Sequence, residues 1–140
     1  MSRQRCRLFL IEEHRYGKEP SIEPYPKIPL GFHRPELDGV VRVEALLDTG
    51  FDGALILSRA LCNFLSEKAI RPDGSEELDA AGIGIPCNFY EANIQLAERW
   101  FRVKAHAPQL GDLGTILGRV LINRITFCLR GASSKLHICT

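Results

Sequence analysis

The chemistry in this chain centres on one acidic residue in the run Ala45-Leu46-Leu47-Asp48-Thr49-Gly50. The three apolar residues read as the end of a buried strand, which would deliver the Asp48 carboxylate to the edge of a core. Gly50 lets the chain turn tightly and bring backbone N–H groups near that carboxylate. Thr49 offers a hydroxyl that can bond the backbone and pin the turn. Such an arrangement holds a carboxylate in a fixed, partly desolvated place. A strand ending in an ordinary Asp-Thr-Gly turn is the plain alternative, and the three residues alone favour it.

Further elements follow in a particular order. Ala80-Ala81-Gly82-Ile83-Gly84-Ile85 carries two glycines between strand-like arms. Thr115-Ile116-Leu117-Gly118-Arg119 then leads into Val120-Leu121-Ile122-Asn123-Arg124. An acid turn, a glycine-bearing hairpin tip and an apolar-apolar-Gly-Arg step into a short helix follow the order of retroviral-type aspartic proteases. On these motifs the chain resembles the retropepsin-like peptidases, with their bacterial branch as a candidate, over roughly residues 27 to 130. Residues 1–26 match nothing in that pattern.

The resemblance implies a specific chemistry. Aspartic proteolysis uses two carboxylates that share a proton and a water. Two acids about 3 Å apart cannot both ionise cheaply, so their titrations split. This chain has a single Asp-Thr-Gly, and Asp38, Asp52, Asp73, Asp79 and Asp112 lack its context. A twofold homodimer can supply the pair by setting Asp48 against its own copy. The resemblance makes Asp48 catalytic, with Thr49 and Gly50 as its scaffold and Thr49 bonding across the axis. Gly82, Ile83 and Gly84 would form a flap tip over an extended peptide, and Asp52 would join them at the substrate. Asp52 would also pair with Arg119 within one subunit, with Gly118 and Arg119 as structural support. Ala81 and Ile85 replace further glycines of the viral tip, and Phe51 and Gly53 depart from common viral residues. Those departures leave the substrate pockets unassigned.

The elements needed to position these groups are mostly strands. Val40 to Leu47 alternates around Arg42 and Glu44, and Ala54 to Leu57 is a short buried strand. Ser58 is a helix N-cap for residues 59–68, with Leu61, Phe64, Leu65 and Lys68 at helical spacing. Residues 77–81 and 85–96 form hairpin arms, and 100–107, 115–117, 125–129 and 135–139 read as strands. Leu8 to Ile11 is a possible first strand. Residues 14–26, with three prolines, read as a loop, and 31–39 as a connection. The pattern indicates an all-β closed barrel of the retropepsin-like kind with one or two short helices. It divides into an N-terminal arm, residues 1–26, and the barrel domain, residues 27–140. In viral relatives the chain ends interleave across the dimer, and Leu8–Ile11 and Leu136–Cys139 have the character for that.

Composition narrows the alternatives. The chain has 18 basic and 17 acidic side chains for a net charge of +1, which gives no reason to propose nucleic acid or membrane partners. The first apolar run is too short for a membrane span or signal core. Five cysteines with no Cys-x-x-Cys spacing read as reduced thiols in a cytoplasmic protein. His14, His33, His106 and His137 lack metal-ligand spacing, so no metal or other cofactor is expected. Cys62 and Cys128 have no supporting histidine nearby in sequence and read as buried thiols. The expected function is a homodimeric aspartic endopeptidase acting on extended peptides. A non-catalytic dimeric module for peptide binding or assembly on the same fold is the alternative.

Overall fold

The computed structural model describes residues 10–20, 22–80 and 82–139. Leu8 and Phe9 of the expected first strand, and Ala81 of the hairpin tip, lie outside the described residues. In chain order the strands are β1 (Leu10–Arg15), β2 (Gly17–Glu19), β3 (Ile22–Tyr25), β4 (Lys27–His33), β5 (Val41–Leu47) and β6 (Leu55–Ile56). Helix α1 (Arg59–Glu67) follows, then β7 (Gly74–Ala80), β8 (Ile83–Leu96), β9 (Arg99–Pro108) and β10 (Ile116–Leu117). The chain closes with α2 (Arg119–Ile122), β11 (Thr126–Arg130) and β12 (Lys135–Cys139).

The main sheet runs β4-β5-β10-β6-β9-β8-β7, and β8 also pairs with β4, so the strand order returns on itself. That return uses Gly31, Phe32 and His33 against Gln95, Ile94 and Asn93. It explains why β4 continues through residues that read as a loop: Phe32 is fully buried where β4 serves two neighbours at once. Inside the barrel Ile28, Leu30, Ala45, Leu55, Ile94 and Leu117 are completely shielded. At roughly 25 cal/mol per Å² of apolar surface, such burial is the main force holding the strands together.

Helix α1 starts where Ser58 caps it, its hydroxyl accepting the Leu61 N–H at 3.2 Å. Leu61, Cys62 and Leu65 face the core. Lys68 is exposed just beyond the helix, its ammonium 5.8 Å from the Phe64 ring centre. Residues 14–26 are strand-rich rather than looped: β1 reaches Arg15, and β2 pairs with β3. Pro24 is tolerated because β3 belongs to a two-stranded ribbon and lies at an edge, where a missing N–H costs least.

The two chain ends meet in a separate sheet ordered β1-β12-β11. β12 lies antiparallel to β1 on one side and to β11 on the other. Its Leu136 and Ile138 are fully buried in the core. Within one chain both edges of β12 are paired, which leaves β1 and β11 as the strands of this sheet with an open edge. No helix among the described residues is long and apolar enough to cross a membrane.

One polar cluster ties the barrel's near end together. Arg34 is nearly buried, and its guanidinium donates to Asp73 at 2.7 Å, to Glu36 at 2.8 and 3.1 Å, and to the Glu91 carbonyl at 2.9 Å. Arg34 holds both carboxylates below their ordinary range, and the Glu91 N–H adds to the effect on Asp73. Groups depressed in this way stabilise the fold above the usual carboxylate range and lose that contribution as pH falls through their lowered values. Arg34→Ala is expected to cost about 2 kcal/mol at neutral pH by urea unfolding. The gap to the unaltered protein should narrow in acid as Asp73 and Glu36 take up protons.

Candidate active site

Asp48 comes directly after β5, where β10 runs parallel to that strand. The Leu46 N–H donates to the Thr115 carbonyl at 2.9 Å, and the Asp48 N–H to the Leu117 carbonyl at 3.0 Å. The acid is thus placed by a short parallel ladder inside the barrel. Beyond it the chain turns back on the carboxylate: the Gly50 N–H donates to Asp48 Oδ1 at 2.8 Å. The Asp48 carbonyl accepts the Phe51 N–H at 3.3 Å. Thr49 and Gly50 are exposed, and the Thr49 hydroxyl makes no hydrogen bond among the described residues. Within one chain it does not pin the turn.

The loop after the turn is laced to the start of α2 by the main chain. The N–H groups of Gly118, Arg119 and Val120 donate to the carbonyls of Ala54, Phe51 and Gly53 at 2.9, 2.8 and 3.1 Å. Gly118 permits this contact, since a Cβ there would lie 2.2 Å from the Gly53 carbonyl oxygen and 2.4 Å from the Phe51 ring. The expected Asp52–Arg119 ion pair is corrected: no ion pair within 4.0 Å joins these two side chains, and both residues are exposed. The backbone already makes the join, and it does so without desolvating two charges.

Strands β7 and β8 pair as an antiparallel hairpin. Gly82 takes φ +82°, a region glycine enters freely, and its N–H donates to Asp79 Oδ1 at 2.9 Å. Ile83 at the tip is 70% exposed. Farther down, Glu76 of β7 reaches across β8 to His106 Nε2 at 2.6 Å and Lys104 Nζ at 3.4 Å on β9. His106 holds the Glu76 carboxyl below its ordinary range, with Lys104 assisting. The buried Nδ1 of His106 has no partner among the described residues, which places the proton of a neutral ring on Nε2, facing Glu76.

Between the hairpin and the acid turn lies a cleft of about 220 Å³. Asp48, Gly50 and Phe51 line one side, and Leu78, Asp79, Ile85 and Cys87 of the hairpin line another. Ile56, Pro108, Leu113 and Ile116 complete it. The walls are mainly apolar, and among the described residues no cationic side chain lines them. Gly82, Ile83, Gly84 and Asp52 are not among the lining residues of the single chain. The apolar wall went unassigned in the sequence, although Leu78, Ile85 and Cys87 obey the two-residue alternation of one sheet face. The histidines are dispersed: His14, His106 and His137 meet Glu12, Glu76 and Glu13 respectively, while His33 packs edge-on against Trp100. Among the described residues no three His, Cys, Asp or Glu side chains group as metal ligands.

A barrel closed by β4 and β8, an acid turn braced by a Gly-Arg step, and a hairpin above it define the retropepsin-like fold. Solved structures agree on that fold. A retropepsin-like aspartic protease from Rickettsia conorii superposes with a TM-score of 0.57 and 18% identity, over 91% of this chain and 90% of that one. The EIAV protease, solved in complex with an inhibitor, superposes with a TM-score of 0.53 and 18% identity, over 76% of this chain and 93% of that one. No family model matches the chain, and no curated protein matches it.

Gly118→Ala should displace the Phe51–Ala54 loop or unfold the chain. An overpacking cost of about 3 kcal/mol is expected, read as a lower denaturant midpoint. Ala54→Gly, which introduces no clash, serves as the comparison and should cost less.

Proposed function

We propose that the chain is a homodimeric aspartic endopeptidase, with one Asp48 from each subunit in the catalytic pair. The observation that carries the reading is the placement of Asp48: a carboxylate on a rigid turn, at the edge of an apolar cleft, beneath a hairpin. Among the described residues one other acid lines the cleft of a single chain. Asp79 is the other carboxylate of the cleft, and it is engaged with the Gly82 N–H at the hairpin tip. The exposed Thr49 and Gly50 leave the turn accessible to a second copy.

In the dimer the two Asp48 carboxyls would share one proton. The ionised member takes a proton from a water as that water attacks the scissile carbonyl, and the protonated member polarises the carbonyl oxygen. The Gly50 N–H on Oδ1 holds this carboxyl in a fixed orientation. The apolar wall from Leu78, Ile85, Leu113 and Ile116 suits apolar side chains flanking the cut. The hairpin would close over the peptide and exclude water. Of the terminal sheet's free edges, β11 lies directly after α2, close in sequence to the acid turn's brace, so β11 against its own copy is the seam this reading favours.

Asp48→Asn should abolish peptide cleavage while leaving the circular dichroism spectrum and unfolding midpoint nearly unchanged. Full activity of this variant would overturn the protease reading. A strict monomer by light scattering that still cleaves peptides would remove the paired-acid mechanism.

The rate of a proton-sharing pair depends on holding one proton between two acids. A bell-shaped pH profile is expected, falling on the alkaline side as the second acid ionises and on the acid side as both become protonated. A flat profile across the acidic range would exclude the dyad.

A further inference from the structure

A second and larger cavity, of about 450 Å³, lies across β8 from the cleft. Strand alternation separates the two: Ile85 and Cys87 face the cleft, while Asn88 and Tyr90 face the cavity and helix α1. Its lining holds two arginines, Arg59 and Arg71, and no aspartate or glutamate. Arg59 is already engaged, its guanidinium donating to the Pro108 and Gly111 carbonyls at 2.8 and 2.7 Å. Asp112 accepts the Arg59 backbone N–H and does not line the cavity. Asp73, next to Pro72 at the rim, is occupied by Arg34. Arg71 makes no ion pair or hydrogen bond with any described residue.

The lining also carries a donor free of protein partners. Tyr90 is only 5% exposed, and its hydroxyl, which makes no hydrogen bond among the described residues, meets the solvent of the cavity. Burial pushes this hydroxyl above its ordinary pKa, and a tyrosine hydroxyl is a protonated donor at neutral pH in either case. A ligand acceptor entering the cavity would take the place of solvent at this hydroxyl. Asn63, Asn88 and Gln109 add amides at the walls, while Ile70 and Ala107 are apolar.

We propose that this cavity is a binding site for a carboxylate-bearing organic acid, held between Arg71 and the Tyr90 hydroxyl with its apolar body against Ile70 and Ala107. The planar guanidinium fork matches a carboxylate. A dianion such as phosphate would call for a second free cation, and Arg59 is turned to carbonyls. The site does not depend on Asp48, so it stands or falls apart from the protease reading. The carboxylate can come from a small free acid or from the C-terminus of a peptide.

The test is a titration of the full chain followed by amide NMR, with hexanoate and N-acetyl-leucine as probes and N-acetyl-leucinamide as the uncharged control. Saturable shifts at Asn63, Arg71, Asn88 and Gln109 are expected for at least one acid, with the leucinamide about tenfold weaker or worse. Tighter binding of hexanoate assigns a free acid, and tighter binding of N-acetyl-leucine a peptide terminus. Arg71→Gln and Tyr90→Phe should each weaken the bound acid by about tenfold while keeping the folded amide spectrum. Three results would each overturn the site: no saturation by either acid up to about 50 mM, equal binding of the leucinamide, or unchanged affinity in either variant. Arg71 is exposed, so its variant tests the site even if Tyr90→Phe perturbs the fold.

Discussion

The position of Asp48 depends on the main-chain contact between the Phe51–Ala54 loop and the step at Gly118. Three N–H groups in succession, from Gly118 to Val120, are satisfied by carbonyls of that loop. These N–H groups also open α2, where they have no partner within the helix. One set of bonds therefore caps a helix, closes a loop and fixes the turn that carries the acid. The contact has no room for a side chain at residue 118. A hydrogen-bonded backbone contact is short and directional, so it holds a carboxylate more narrowly than a pair of flexible charged side chains would. That Asp52 and Arg119 remain apart is consistent with the same economy.

Around this fixed point the cleft is assembled from distant segments. The hairpin supplies Leu78, Ile85 and Cys87 from one face, and the stretch after β9 supplies Leu113. The hairpin is anchored at its base, where Glu76 spans β8 to reach His106 and Lys104, and is free at its tip, where Ile83 is exposed. The opposite face of the same strand, β8, walls the larger cavity, so one strand separates two environments of different character. One is apolar with two carboxylates at its edge, and the other is polar with two arginines.

The terminal sheet follows a different rule from the barrel. Its middle strand, β12, is satisfied on both sides by its own chain and contributes two fully buried side chains to the core. The last strand is thus built into one subunit's core, while β1 and β11 flank it with their outer edges open. The hairpin between β11 and β12 brings this about, because β12 folds back along β11 and offers its other edge to β1.

Much of this structure is legible locally. Ser58 announces α1 because a hydroxyl before an apolar helical face has a backbone N–H to accept. β5 is legible from its alternation, and the acid turn from the order Leu-Asp-Thr-Gly, because a carboxylate two residues before a glycine N–H can close on it. The retropepsin-like barrel was legible only from the order of three motifs, none of which suffices alone. What the sequence could not settle was decided by long-range pairing. Residues 31–33 are strand because β4 meets both β5 and β8, and residues 22–25 are strand despite Pro24 because they lie at an edge. The apolar wall of the cleft, the separation of Asp52 from Arg119, and the closing of the terminal sheet within one chain all depend on contacts between segments far apart in sequence. Local propensity carries no information about which distant partner a strand finds, and that choice is made by the packing of the whole core.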